Sequence, residues 1–220
     1  MIDIIIPVLN EEKILREKAD YYGRLKEKAR IIFVDGGSRD ETPKVAKQFG
    51  EVLFSSPGRA AQKNRGAAVA QSDKLIFLHV DSFIDTATIG NIEQALSNGV
   101  CGGCLTIKIE HPGLIFRIFE RIVNLRAKAF GVMDGDLGIF VRKDMFDKIG
   151  CFDDVAIMED ILFSKKLRRT GKTITLPDKI TVSPRRWQES GFVKTLRHYC
   201  LAYMRLWSGT LSLKKVRDEN

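Results

Sequence analysis

Long apolar runs are absent from this sequence. No stretch of the 220 residues supplies the roughly 20 consecutive apolar residues that a membrane-spanning helix needs. The first seven residues carry an acid, Asp3, where a signal peptide would have basic residues, and their apolar run is too short for one. Low-complexity segments and internal repeats are also lacking. We therefore expect a globular protein that acts in the cytoplasm.

Cysteines are few, and they do not form a recognisable metal framework. There are four, of which Cys101 and Cys104 have the CxxC spacing. A zinc site would need a second pair of ligands with matching spacing, and none follows. The pair lies in a β-rich run rather than at the start of a helix. A structural role is therefore expected rather than metal binding or redox chemistry.

The net charge of +8 is unevenly distributed. Basic residues far outnumber acidic ones over residues 165–220, whereas the preceding part of the chain is close to neutral. Such a basic segment suggests an anionic partner: a phosphorylated substrate, a membrane surface or a nucleic acid. Nucleic acid is disfavoured, because the basic residues are dispersed on predicted helices with few aromatic residues between them.

The first half of the chain alternates between strand and helix patterns. The apolar, β-branched runs at 2–8, 29–34, 51–54 and 74–80 are typical of buried strands, and the segments 11–28, 41–49 and 59–71 of helices. This order predicts an α/β protein with a Rossmann-like, mostly parallel central sheet flanked by helices.

The second half is mixed. Strands are predicted at 99–110, 138–141, 173–176 and 180–183, and helices at 113–130, 159–169 and 192–207. In the helix at 113–130, Ile115, Ile118, Phe119 and Ile122 form one face, opposite basic residues that include Arg121. The pattern favours packing of this apolar face in the core. Docking of the basic helices around 117–128 and 197–205 on an anionic membrane stays open as an alternative.

Polar residues cluster where predicted strands end. Asn10 and Glu11 follow the first strand, Asp35 the second and Asp81 the fourth. Ligands of open α/β sheets bind outside the carboxyl ends of the strands, so we expect these groups to share one site. Asp81 could bind a divalent cation that also contacts a diphosphate. The alternative is that it only caps a turn. Asp35 suits a base or ribose hydroxyl, with an Asx turn as the equal alternative.

Three further segments carry candidate site residues. Arg59 opens a helix, where phosphate is favoured, whereas the nearby Lys63 and Arg65 are expected to be solvated. Glu159 and Asp160 open another helix. Either the helix dipole favours acids at this end, or Asp160 acts as a general base. Trp187, beside arginines, could stack on a sugar ring or pack in the core.

Together these motifs resemble those of the inverting family-2 glycosyltransferases of GT-A fold, from about residue 2 to residue 187. IIPVLNEE resembles the first strand of that family, VDGGSRD its DDGSxD turn, and LHVDS its DxD metal motif with His79 in place of the first acid. MED matches its ED motif, and RRW the end of its QxxRW motif, with Ser183 in the Gln place. In style the chain is closest to a small bacterial subgroup known as arsenosugar-type glycosyltransferases.

The resemblance implies a single GT-A domain over 1–220. Residues 1–98 would form the half that binds the nucleotide sugar, 99–190 the acceptor half, and 191–220 a C-terminal basic helix and tail. The implied catalytic residues are Asp160, the base, and Glu159, and the implied metal ligands for Mn²⁺ or Mg²⁺ are Asp81 and His79. The implied donor-binding residues are Pro7, Asn10, Glu11, Asp35, Gly36, Arg59, Gln62, Asn64, Val80, Arg186 and Trp187.

The activity implied is metal-assisted transfer of a sugar from a nucleotide diphosphate, a UDP-sugar by expectation, to a hydroxyl acceptor with inversion. Two other functions stay open. A degenerate module that only binds the sugar nucleotide is suggested by His79 and by Leu137, which replaces a Gln of the subgroup. Nucleotidyl transfer is disfavoured, because a Gly-rich loop should follow the first strand and Asn-Glu-Glu stands there. The sugar, the acceptor and the oligomeric state are not indicated by the sequence.

Overall fold

A computed structural model describes residues 1–185 together with Trp187, Gly191, Arg197, Leu201 and Met204. Its eight strands form one sheet in the order β3-β2-β1-β4-β7-β6-β8-β5. Most of the predicted final helix at 192–207, and Arg186, lie outside the described residues. The strands are β1 Asp3–Val8, β2 Arg30–Asp35, β3 Glu51–Phe54, β4 Lys74–Phe77, β5 Ser82–Ile84, β6 Gly102–Ile109, β7 Ile139–Arg142 and β8 Thr173–Val182.

Eight α-helices and one 3₁₀ turn connect these strands within the described residues. Helix α4 packs on β1 and β2, and α6 packs on β6. None of the helices in the described residues is both long and apolar enough to cross a membrane. The helices are α1 Glu12–Glu17, α2 Ala19–Leu25, α3 Thr42–Ala46, α4 Arg59–Val69, α5 Thr86–Ser97, α6 Leu114–Phe130, α7 Lys143–Lys148 and α8 Glu159–Thr170, and the 3₁₀ turn is Gly135–Leu137.

The predicted parallel sheet of the first half is confirmed. Strand β1 lies between β2 and β4 and pairs with both in parallel, and β2 pairs in parallel with β3. Nearly every side chain of β1 and β2 is buried, as expected for strands covered on both faces. Since these strands run in the same direction, their carboxyl ends meet at one edge of the sheet.

The second half adds antiparallel pairing and differs in detail from the prediction. Strand β7 pairs antiparallel with β4, and β6 then pairs in parallel with β8. The two short strands predicted at 173–176 and 180–183 are one strand, β8, which continues through Pro177. Helices α5 and α7 and strand β5 were not predicted, although Asp85 is an N-cap whose side chain accepts from the amide of Ala87.

The helix predicted at 11–28 is interrupted. Lys18 leaves the helical region of backbone conformation and separates α1 from α2. Beyond this break Tyr22 is fully buried, and its hydroxyl donates a 2.8 Å hydrogen bond to the carbonyl of Val80, next to the end of β4. Packing against the sheet therefore overrides a continuous helical pattern.

The prediction that the isoleucine face of helix α6 packs in the core was wrong. The helix buries Phe116, Glu120, Val123 and Ala127. Its exposed large apolar side chains are Leu114, Ile115, Ile118, Ile122, Leu125 and Phe130. On its inner side, Glu120 accepts from the amide of Ile109, and Asn124 bonds the amide and the carbonyl of Ile107, so polar contacts help to attach the helix to β6.

Helix α4 approaches β1 closely, and this approach requires a glycine. A Cβ atom added at Gly66 would lie 2.5 Å from Cγ2 of Ile5 and 3.1 Å from Cγ2 of Val34. Both side chains belong to the buried core. Gly66 therefore sets how near the helix lies to the sheet, and with it the position of the N-terminus of α4.

We predict that Gly66→Ala lowers the free energy of unfolding by about 1–3 kcal/mol, as overpacking of a core does. Gly90→Ala is the matched control, because Gly90 also lies within a helix but has nothing within 4 Å of an added Cβ. There the gain in helix propensity should stabilise the protein by roughly 0.5–1 kcal/mol. Urea titrations of both variants measure the two effects, and a stable Gly66→Ala protein would contradict the close approach.

Candidate active site

A cleft of about 710 Å³ opens at the carboxyl ends of β1, β4 and β8. Its volume is in the usual range for small-molecule sites, roughly 300–1,000 Å³. The N-terminus of α4, the 3₁₀ turn and the loop before α8 complete its walls. Nine of the predicted site residues line it: Pro7, Asn10, Glu11, Arg59, Gln62, His79, Val80, Asp81 and Trp187.

Arg185 joins two of the predicted acidic groups at the cleft. Its Nη2 lies 2.9 Å from Oε1 of Glu11, and its Nε lies 3.2 Å from Oδ2 of Asp81. Burial raises the pKa of Glu11, although Arg185 opposes this shift. The pKa of Arg185 is raised above its usual value, because its two acidic partners outweigh the effect of burial. Sequence reasoning missed Arg185, although it stands in the same Arg-Arg-Trp segment as the predicted Arg186.

His79 is oriented by Asp136, which sequence reasoning did not select. Nδ1 of His79 lies 2.8 Å from Oδ1 of Asp136. Nε2 of His79 is buried and, among the described residues, has no hydrogen-bond partner. A Cβ at Gly135 would lie 2.8 Å from this Nε2 and 2.3 Å from Oδ2 of Asp160, so both groups lie directly beside Gly135.

This geometry bears on the predicted metal site. The described residues contain no cluster of three or more His, Cys, Asp or Glu side chains that could hold a metal ion by themselves. With Nδ1 on Asp136 and Nε2 buried, His79 does not present a ligand to the cleft. Asp81 does present a carboxylate there, and Mg²⁺ is commonly held by one or two carboxylates together with substrate phosphates. The residues therefore fit a divalent cation that Asp81 would hold jointly with a diphosphate.

A buried charge cluster lies behind the cleft. Nζ of Lys63 is 3.0 Å from Oε1 of Glu159 and also contacts Oδ1 of Asp160. Lys63 is 1% exposed, so the expectation that it is solvated was wrong. A lysine on α4 points inward here because the two acids that open α8 compensate its charge. Arg65, two residues further along, is exposed as expected.

The pKa values of the two acids in this cluster are shifted in opposite directions. Burial raises the pKa of Asp160, and the Glu159 carboxylate beside it acts in the same direction, against the lowering by Lys63. Burial also acts on Glu159, but Lys63 and Arg59 outweigh it and hold its pKa below the usual value. Of the pair, Asp160 therefore has the higher affinity for a proton.

Several predicted donor contacts instead brace the polypeptide. Oδ2 of Asp35 accepts from the amides of Gly37 and Ser38, each at 2.9 Å, which is the Asx turn weighed as an alternative. The Asn64 side chain bonds both the amide and the carbonyl of Phe152. Neither Asp35 nor Asn64 lines the cleft. Their carboxylate and amide groups stabilise the loops that form it.

Gln62 braces the sheet and also reaches the cleft. Its Nε2 donates to the carbonyl of Val8 at 2.9 Å and to that of Val34 at 2.7 Å, which ties the ends of β1 and β2 together. A Cβ at Gly36 would lie 3.1 Å from the same Nε2, so Gly36 makes room for this side chain rather than lining the cleft.

Trp187 packs in the core, which is one of the two roles that the sequence left open, and stacking on a sugar ring stays a prediction. Its ring packs edge-to-face against Phe116 and Phe119 of α6, with centroids 6.0 Å apart in both cases. It also lines the cleft. The indole therefore forms part of the wall between α6 and the cleft.

The fold and the cleft together define a GT-A-type α/β protein. The chain matches the family described as "Glycosyl transferase family 2" over residues 3–144, well over half its length, and it belongs to this family. Membership of the arsenosugar-type subgroup stays a prediction.

Two named relatives share low identity with the chain. The "Probable glycosyltransferase YdaM" of Bacillus subtilis is 22% identical over 85% of this chain, and "Glycosyltransferase AglE" of Haloferax volcanii is 23% identical over 79%. The chain spans 52% of the length of the first and 63% of the second.

Solved structures show the same fold. TarS 1-349 of S. aureus superposes with a TM-score of 0.65 at 18% identity, covering 86% of this chain and 62% of that one. The mannosyltransferase PcManGT of Pyrobaculum calidifontis, in complex with GDP-Man and Mn²⁺, has a TM-score of 0.64 at 20% identity, covering 82% and 56%.

We predict that Lys63→Met lowers the free energy of unfolding by about 3–5 kcal/mol, because it leaves two acids buried without their cation. Arg65→Met is the matched control on the exposed side of the same helix, and it should stay within roughly 0.5 kcal/mol of the parent protein. Thermal and urea unfolding of both variants provide the measurement. Similar stabilities for the two would argue against a buried charge cluster.

Proposed function

We propose that this chain transfers a sugar from a nucleotide diphosphate donor, a UDP-sugar, to a hydroxyl acceptor with inversion at the anomeric carbon. The observation that carries the proposal is the placement of Asp81 and Arg59 in one cleft at the carboxyl ends of the parallel strands of a family-2 domain. The Asp81 carboxylate can bind a cation, and Arg59 at the N-terminus of α4 can bind phosphate. Both properties suit a diphosphate leaving group. PcManGT in complex with GDP-Man and Mn²⁺, and TarS in complex with UDP-GlcNAc, are consistent with a donor of this class.

In the proposed mechanism the donor occupies the cleft along Pro7, Asn10 and Glu11. Arg59 meets its phosphates at the N-terminus of α4, where helix dipole and guanidinium act together. A divalent cation held by Asp81 would neutralise charge on the departing diphosphate. Arg185 lies beside the same carboxylate, with its Nε 3.2 Å from Oδ2 of Asp81, so its guanidinium would also be close to the diphosphate. The indole of Trp187 provides an apolar wall for a sugar ring.

Asp160 is the proposed general base. It accepts the proton of the acceptor hydroxyl on the face of the sugar opposite the leaving group, and attack from that face inverts the anomeric centre. Asp160 is 7% exposed and lies behind His79 and Gly135. Catalytic hydrogen bonds commonly form only in the complex with substrate, so a small movement of the 3₁₀ turn would admit the acceptor. Glu159 and Lys63 position the Asp160 carboxylate.

The burial of Asp160 also favours a second candidate function, a module that binds the sugar nucleotide without turnover. Asp160 is engaged by Lys63, and Leu137 is fully buried and does not line the cleft. This function would be indicated if the protein binds the donor but neither transfers nor hydrolyses its sugar.

We predict that a nucleotide sugar raises the melting temperature, and more so with Mn²⁺. A ligand that binds only the folded state stabilises it by about 2.7 kcal/mol when its free concentration is roughly 100 times Kd. UDP-glucose, UDP-N-acetylglucosamine and GDP-mannose are compared by thermal shift, with a UDP-sugar expected to act most strongly. Asp81→Asn should abolish the Mn²⁺-dependent part, and Asp20→Asn, an exposed Asp→Asn change on α2, should retain it. No shift with any donor would refute the proposal.

We predict that Asp160→Asn lowers kcat for transfer by about 10²–10⁴, the usual contribution of a general base. The thermal shift with donor should persist, because the changed atom does not line the cleft. Since the base must be ionised and its pKa is raised, the parent kcat should fall with decreasing pH at a pH above the ordinary carboxyl value of 3.8. Undiminished turnover in Asp160→Asn would rule out this base, with Asp20→Asn again as the control.

A further inference from the structure

Helix α6 presents an apolar surface to solvent. Leu125 is 66% exposed, Ile122 60% and Leu114 74%. With Ile115 and Ile118 they recur at three- and four-residue spacing, so they lie along one side of a helix of 17 residues, about 26 Å long. A continuous exposed apolar strip of this length is unusual for a soluble domain and marks an interaction surface. We call it the α6 strip.

Every exposed charge on this helix is positive. Arg121 and Lys128 are exposed among the apolar residues of the α6 strip, and neither forms an ion pair with another described residue. The acid of the helix, Glu120, is turned inward, where it bonds the amide of Ile109 and pairs with Arg117 at 2.8 Å. The polar rim of the α6 strip is therefore cationic.

An exposed apolar strip with a cationic rim indicates a partner that is both apolar and anionic. We propose that the α6 strip docks the protein on an anionic lipid bilayer, with its apolar side chains in the acyl boundary and its cations among the headgroups. Amphipathic helices that lie in the membrane interface have this composition, and each basic side chain near an anionic leaflet adds to the affinity. A second copy of the chain fits less well, because Arg121 lies near the middle of α6 and a two-fold axis there would bring the Arg121 side chains of both copies together.

The inner side of the helix holds the α6 strip firmly. Oδ1 of Asn124 accepts from the amide of Ile107 at 2.9 Å, and its Nδ2 donates to the carbonyl of the same residue at 3.1 Å. Phe116 and Phe119 pack on Trp187, which lines the cleft. Docking would thus bring the cleft within about one helix diameter, 10–12 Å, of the lipid surface. The docking itself requires neither donor nor acceptor, so it is tested independently of the proposed function.

The test is co-sedimentation of the full chain, without donor, with vesicles of phosphatidylglycerol mixed with phosphatidylcholine and with vesicles of phosphatidylcholine alone. We expect binding to the anionic vesicles that weakens with added salt. Arg121→Gln and Lys128→Gln should each weaken it about fivefold, since one basic residue contributes about 1 kcal/mol. The double variant Ile122→Gln/Leu125→Gln should weaken it at least about tenfold.

The control is Lys13→Gln/Lys47→Gln, which removes two exposed cations outside α6 and should bind almost as the parent does. All changed side chains are exposed, so unfolding curves should confirm that each variant is folded. The proposal is overturned if the parent fails to bind anionic vesicles, or if the α6 variants bind as well as the control. It is also overturned if the parent forms a dimer that Ile122→Gln/Leu125→Gln abolishes, which would assign the α6 strip to a second copy.

Discussion

The ammonium group of Lys63, on α4, is buried and forms ion pairs with Glu159 and Asp160 at the start of α8. Separated from water, each of these charges would be costly alone, and together they compensate one another. The contact joins the parallel half of the sheet, on which α4 packs, to the segment that supplies the proposed base. Gly66, one helical turn further along, places α4 near enough to β1 for the lysine to reach. The geometry of the proposed active site therefore depends on this charge cluster.

The cleft is also organised by cations of the chain itself. Arg185 pairs with Glu11 and Asp81, which come from the ends of β1 and β4, and it follows β8 in the chain. Three separate parts of the sheet are thus held together at the point where a diphosphate is proposed to bind. His79, with Nδ1 on Asp136, belongs to the wall behind this point. In the DxD-like segment, His79 stands in place of the first acid, so Asp81 is the carboxylate of this segment that faces the cleft.

The sequence predicted the parallel core well, because apolar β-branched runs separated by helical segments allow few other arrangements. It also predicted that Glu11 and Asp81 meet, since the carboxyl ends of parallel strands share an edge. It could not predict which side of α6 faces inward, because hydrogen bonds of Glu120 and Asn124 to β6 hold that helix to the sheet. Nor could it predict that Lys63 is buried, because the compensating acids lie almost a hundred positions away in the chain. The Asx turn of Asp35 was one of two equal alternatives, because its partners Gly37 and Ser38 are adjacent in the chain. The partner of Asn64, Phe152, lies 88 positions away, so the sequence did not reveal it.

The pairing of Arg185 with Glu11 and Asp81 has a consequence for ionic strength. Because Arg185 already neutralises these acids, the cleft binds few counter-ions from solution. Binding of an anionic ligand with a metal ion then exchanges one set of ion pairs for another. The number of small ions released to the medium is then small. Salt should accordingly act more weakly on the occupancy of this cleft than on contacts made by the exposed cations of the chain.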